Sequence, residues 1–233
     1  MGDTAARHSN PEGAAVRIAV FCVGNRLMLD EGLAPAAYDE LQAAYDFPDT
    51  VRLFDVGCMT LDMLPYVRDF DHLITLDAVD GTGAEPGSVF RFLPADMARH
   101  EGARSSLHDL RLADLFDAAL LVGYEASGMC FGMQVENMSP PDLEIGLTHK
   151  VRAALPRLID TVLAELVHRG ATVTVKETGE RVGPAWTHAS WSCTTAAGRV
   201  PTPWAGATST GDSAGTGATG PAGGAATGTF PAL

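Results

Sequence analysis

The stretch Arg17-Ile18-Ala19-Val20-Phe21-Cys22-Val23, stopping at Gly24-Asn25, decides the fold. Its interior is apolar without interruption, with β-branched residues at positions 18, 20 and 23. A strand with one wet face alternates apolar and polar residues, whereas an unbroken apolar run reads as a parallel strand covered on both faces. Working outward, residues 31–46 set Leu33, Ala36, Ala37, Leu41, Ala44 and Tyr45 at helical spacing, with Asp30 able to cap. Val51–Phe54 reads as a second strand, Thr60 as the cap of a short helix carrying Leu61, Leu64 and Val67, and His72–Leu76 as a third strand ending in Asp77.

The alternation continues through the loop 80–87, a strand at Ser88–Phe92, and a helix from Ser105 or Ser106 through Leu107, Leu110, Leu112, Leu115 and Phe116. Ala118–Val122 is expected as a further strand and Gly132–Asn137 as an additional extended piece. Leu147–His168 is a long amphipathic helix, and Ala171–Lys176 a last strand. Strands alternating with helices of this length predict an α/β fold with a mainly parallel sheet. Residues 1–15 are small and polar and are expected to be a disordered lead-in to a domain over 16–178. Residues 179–193 form a connector that the pattern does not place, and it holds Trp186 and Trp191. From Thr194 to Leu233, with Trp204 and Phe230, nearly every residue is Ala, Gly, Thr, Ser or Pro. That tail is expected to be disordered, because it buries too little apolar surface to offset the entropy of ordering.

Charge and cysteines narrow the function. The 233 residues hold 29 acidic and 16 basic side chains, a formal net charge of −13, and only Lys150 and Lys176 are lysines. Such a chain has no general attraction to nucleic acid or an anionic membrane surface. No apolar run reaches the roughly 18 residues of a membrane span, and the polar N-terminus lacks a secretory core. Cys22, Cys58, Cys130 and Cys193 are far apart and form no CxxC pair, which reads as a reduced, cytoplasmic set. No exposed heptad stands out, so a monomer is expected.

In parallel α/β sheets, sites form beyond the carboxyl ends of the strands. Three polar groups fall there: Asp30-Glu31 after the first strand, Asp77 after the third, and His108 in the first turn of a helix. Two carboxylates and a neutral imidazole make an O,O,N set able to hold a borderline divalent ion. Each also has an ordinary reading, as a helix cap, a strand-end turn carboxylate and a surface histidine. No G-x-G-x-x-G, phosphate loop or G-x-S-x-G elbow is present. Met129, Met133 and Met138 around Cys130 suggest a soft-metal face or, more simply, a loop or strand packed with Met.

These residues resemble the hydrogenase maturation endopeptidases. Val23-Gly24-Asn25 with Leu29-Asp30-Glu31-Gly32 is similar to that family's opening G-x-G-N-x-x-x-x-D-E-G, and His72–Asp80 to its apolar strand closing in D-A-hydrophobic-D. Glu85–Val89, Ser105–His108, Leu121–Gly123 and Ile145–Thr148 resemble four later blocks, in order from about Arg17 to Gly170. The resemblance implies a three-layer α/β/α sandwich with a twisted, mainly parallel five-stranded sheet. It implies a metal-dependent endopeptidase that removes the C-terminal extension of a nickel–iron hydrogenase large-subunit precursor after nickel insertion. By motif the metal positions are Glu31, Asp77 and His108, and the nickel is borne by the substrate, so that the free enzyme need not carry it.

In such a site the ion polarises the scissile carbonyl or supplies hydroxide, or it only positions the substrate while Asp30 or Asp80 activates water. Two departures from the family pattern bear on substrate identity. Cys22 replaces the first glycine of the opening motif, and Asp55-Val56-Gly57-Cys58-Met59-Thr60 stands where relatives have D-G-G-T. The alternatives are a non-cleaving nickel-recognition or chaperone module for the same precursor, and a small-molecule-binding α/β protein in which the trio does not converge.

Overall fold

The computed structural model describes residues 15–58, 63–92, 115, 118–123 and 127–184. The expected lead-in up to residue 14, the helix start at Thr60, the helix start at Ser105 with His108, the end of the connector with Trp186 and Trp191, and the tail with Trp204 lie outside the described residues. Strand β1 (Ile18–Val23) is buried at every position. Ile18, Val20 and Cys22 enter one apolar cluster while Ala19, Phe21 and Val23 enter another. The unbroken apolar run is therefore two interleaved faces, each covered by its own layer.

Around β1 stand β3 (Val51–Gly57), β4 (His72–Val79), β5 (Val89–Phe92) and β6 (Ser127–Gln134), in the five-stranded order β3-β1-β4-β6-β5. The first three pairings are parallel, and β5 runs antiparallel to β6. Helix α1 (Leu33–Ala44) brings Leu33, Ala34, Ala37 and Leu41 onto one face. The long helix after residue 148, here α3 (His149–His168), adds Val151, Leu155, Leu158, Ile159, Val162, Leu163 and Leu166 to the same face. On the other face Val67, from α2 (Leu64–Val67), packs with Phe70, Leu115 and Ala119. The architecture is thus α/β with helical cover on both faces of a mainly parallel sheet. No helix among the described residues is long and apolar enough to cross a membrane.

Two expectations are corrected. Residues 118–121 are helical, and Leu120 and Leu121 are exposed. A short apolar run fits a strand or a helical turn equally well when only its periodicity is read. The strand that completes the sheet is β6, with Met129, Phe131 and Met133 on one face and Cys130 on the other. Its sequence, SGMCFGMQ, has poor strand propensity. One of its two glycines is there for packing: a Cβ on Gly132 would lie 2.7 Å from Val79 Cγ1 and 2.9 Å from Phe92 Cε2. The last expected strand is real but leaves the main sheet. As β7 (Thr174–Val175) it pairs antiparallel with β2 (Tyr45–Asp46).

At the start of β4, His72 is buried and its Nδ1 lies 2.6 Å from Ser127 Oγ, while Nε2 has no hydrogen-bond partner among the described residues. Burial, with the charges of Arg169 and Arg91 acting in the same direction, pushes its pKa down from 6.5 to about 4. The unfolded chain therefore binds the extra proton first, and the stability that neutral His72 confers is complete above pH 6.5 and lost as the pH falls towards 4. Thermal melts should show a loss of about 2 kcal/mol between pH 7 and pH 5 that His72→Leu removes; equal pH slopes in the two proteins would refute it.

Candidate functional site

The chain leaves β1 through a turn that only glycine permits. Gly24 has φ +152°, and a Cβ there would lie 2.1 Å from the carbonyl oxygen of Glu31. That carbonyl accepts the Asn25 N–H at 3.1 Å, and the Asn25 side chain accepts the Leu27 N–H at 3.0 Å. Arg26 spans the outside of the turn. Its guanidinium donates to Asp39 at 2.6 and 3.0 Å, to Asp55 at 2.8 and 3.1 Å, and to the Pro35 carbonyl at 3.2 Å. These partners hold the guanidinium pKa above its ordinary value. The residue between the glycine turn and α1 thus ties β3, α1 and the turn into one unit.

The turn then meets the distant segment before α3. Met28 and Glu144 form a parallel bridge, with Leu29 N–H donating to the Glu144 carbonyl at 2.7 Å and Glu144 N–H to the Leu27 carbonyl at 2.9 Å. Leu29 has φ +49°, an unfavourable conformation for a side chain of this size. It opens the 3-10 turn Leu29–Gly32 that carries Asp30 and Glu31.

Asp30 is fully buried. One carboxylate oxygen accepts the Thr148 N–H at 2.7 Å. The other accepts the N–H groups of Glu136 and Asn137 at 3.1 and 2.9 Å and the Thr148 hydroxyl at 3.0 Å. Both oxygens are thus committed to donors of the protein itself. Thr148 is also the residue preceding α3, so the long helix begins on this carboxylate. Glu31, by contrast, is half-buried on the same turn.

Asp77 lies near the carboxyl end of β4, beside Gly132 of β6 and one residue past the pairing of Cys22 with Leu76. It is 1% exposed, and its carboxylate accepts the Ala78 N–H at 2.8 Å. β1 and β4 are neighbours running in parallel, and the Asp30-Glu31 turn lies against β4, so Glu31 and Asp77 belong to one end of the sheet. The third expected ligand, His108, lies outside the described residues. Among the described residues no three His, Cys, Asp or Glu side chains form a group able to hold a metal ion.

Asp80 is exposed and fixed from beneath by Gln134, a residue the sequence reading passed over. Gln134 Nε2 donates to Asp80 at 3.0 Å and to the Val135 carbonyl at 2.8 Å. Its Oε1 accepts the Thr82 N–H at 3.1 Å and the Thr82 hydroxyl at 2.5 Å. A buried glutamine with both ends satisfied thereby sets the loop after β4. A polar residue closing an otherwise apolar stretch opposite D-A-V-D was the available signal. Cys22 is buried, and burial pushes its thiol pKa up, so it serves as a small core side chain. Cys58 is half-buried at the end of β3, and Met129 and Met133 are packed strand residues facing the core.

Comparison with known proteins agrees with this architecture. The family model described as hydrogenase maturation protease matches residues 35–165, more than half of the chain. The hydrogenase expression/formation protein HupD of Rhizobium leguminosarum bv. viciae is 31% identical over 179 residues, covering 75% of this chain and 86% of that protein. The hydrogenase 2 maturation protease of Escherichia coli (strain K12) is 29% identical over 163 residues, covering 70% and 98%. The solved structure of the hydrogenase maturating endopeptidase HybD from E. coli superposes with a TM-score of 0.62 at 29% identity, over 70% of this chain and 99% of that one. HybD from Thermococcus kodakarensis shares the fold, with a TM-score of 0.54 at 18% identity, over 63% of this chain and 97% of that one. Motif order, sheet topology and the length of both matches lead to the same answer: the chain belongs to the hydrogenase maturation protease family and is a hydrolase.

Proposed function

We propose that this protein removes the C-terminal extension of a nickel–iron hydrogenase large-subunit precursor once nickel has been inserted, and that Glu31, Asp77 and His108 contact the nickel carried by that substrate. The observation that carries the reading is the buried carboxylate of Asp77 at the carboxyl end of β4, beside a turn that presents Glu31. A carboxylate between Leu76 and Ala78-Val79 at the carboxyl end of a strand is costly to bury, and such groups cluster at sites. Carboxylate oxygens with one imidazole suit a borderline divalent ion such as nickel. We place the enzyme in the cytoplasm as a monomer. The acidic chain fits a partner with basic or neutral contact residues.

The residues then divide by task. Glu31 and Asp77 hold the substrate by its metal and bring the scissile bond to a fixed distance. Asp80, exposed and oriented by Gln134, takes a proton from the attacking water and returns it to the leaving amine. Asp30 is a positioning residue: its four accepted hydrogen bonds fix the turn that carries Glu31.

Mass spectrometry of the nickel-loaded precursor tests this. Loss of one discrete C-terminal peptide is expected with the wild-type protein and not with nickel-free precursor. Asp77→Asn should cut the rate at least about 100-fold with an unchanged melting curve. Binding without any change in mass refutes the cleavage reading for this substrate and makes the protein a recognition module. Asp80→Asn should lower kcat by about 100-fold at nearly constant KM and constant stability. Asp30→Ala should instead lower unfolding stability by about 3 kcal/mol, because it strands the buried donors of residues 136, 137 and 148. A denaturant titration with an unchanged midpoint would contradict the positioning role.

A further inference from the structure

The Met28–Glu144 bridge that steadies the turn leaves an unusual edge on its outer side. Glu144 directs both its backbone N–H and its C=O at residues 27–29. The flanking residues therefore direct theirs the other way, and the backbone groups of Leu143 and Ile145 have no hydrogen-bond partner among the described residues. Their side chains are 72% and 79% exposed, and Leu27 across the bridge is 46% exposed. On a bridged backbone, residues on either side of a paired one point the same way. Leu143 and Ile145 are thus two apolar side chains on one side of an unpaired edge. Apolar residues at such exposure along open backbone mark an interaction surface.

The edge is continuous with the site. Leu27 lies four positions before Glu31, Leu29 N–H is held by Glu144, and three residues after Ile145 comes Thr148, which is bonded to Asp30. Through these hydrogen bonds a chain lying on the edge is registered against the turn that carries Glu31. Asp142 and Glu144 are exposed here as well, which disfavours an acidic occupant.

Resting on the function proposed above, we infer that the open backbone of residues 143–145, around the bridged Glu144, is the edge to which an extended, apolar, non-acidic segment of the hydrogenase precursor adds. Its backbone pairs with Leu143 and Ile145, and its side chains meet Leu27, Leu143 and Ile145. In such strand addition main-chain hydrogen bonds supply affinity and alternate side chains supply selectivity. A segment held this way reaches the metal-contact residues already extended, the form in which a peptide bond is open to attack.

The test uses the full-length protein and the nickel-loaded precursor. Leu143→Ser with Ile145→Ser should raise KM about tenfold and leave kcat within about threefold, with an unchanged melting curve since both residues are exposed. Ile145→Pro, which removes the donor and keeps an apolar ring, should raise KM in the same way. Hydrogen exchange should show the amides of Leu143 and Ile145 slowed at least about tenfold by the precursor. Normal KM in both variants, or unprotected amides in the wild-type complex, overturns the inference and leaves the protease reading standing. Loss of self-association in the Ser variant with an unchanged KM overturns it in favour of a second copy of this chain. If the wild-type protein neither binds nor cuts the precursor, the proposed function and this inference fall together.

Discussion

One buried carboxylate holds the functional end of the molecule together. Asp30 accepts hydrogen bonds from the backbone at residues 136, 137 and 148 and from the Thr148 hydroxyl. These donors come from the end of the central sheet and from the start of the long helix, more than a hundred residues away in the chain. A buried charge is tolerable only when its lone pairs are filled, and here they are. The arrangement works both ways: the carboxylate fills the N–H groups of residues 136, 137 and 148, and those groups fill its lone pairs in the interior. The strained backbone at Leu29 is held by a separate contact, its N–H donating to the Glu144 carbonyl.

The second buried acid is held differently. Asp77 accepts the Ala78 N–H of its own strand, and sheet register sets it beside Gly132 of β6. Gln134 does for the loop after β4 what Asp30 does for the turn after β1, filling donors and acceptors from one buried side chain. The turn after β1 and the loop after β4 are therefore both fastened from below, while Glu31 and Asp80 remain at the surface end of their segments. Rigid support beneath with polar groups above is the arrangement that a positioned reaction needs. The Arg26 clamp to Asp39 and Asp55 completes the support on the outer side.

Much of this was legible before any coordinates. The run Arg17–Val23 announced a doubly covered strand, and the D-E-G and D-A-V-D blocks located both acidic segments at strand ends. Two readings failed for related reasons. Ala118–Val122 has the composition of a strand but forms a helical turn, because a five-residue apolar run carries too little periodicity to choose. The extended piece expected at Gly132–Asn137 begins earlier, as the strand Ser127–Gln134, because the packing that admits only glycine at Gly132, against Val79 and Phe92, is set across the sheet.

By itself, then, the sequence determined the α/β class, the strand-end location of Glu31, Asp77 and Asp80, and the family, since local pattern and motif order are properties of the chain alone. Only the tertiary structure separated neighbours that look alike in the sequence. Asp30 and Glu31 are adjacent acids, yet one is fully buried among four donors and the other is half-buried. The difference arises from residues 136–148, which approach through space and leave no trace in the local sequence.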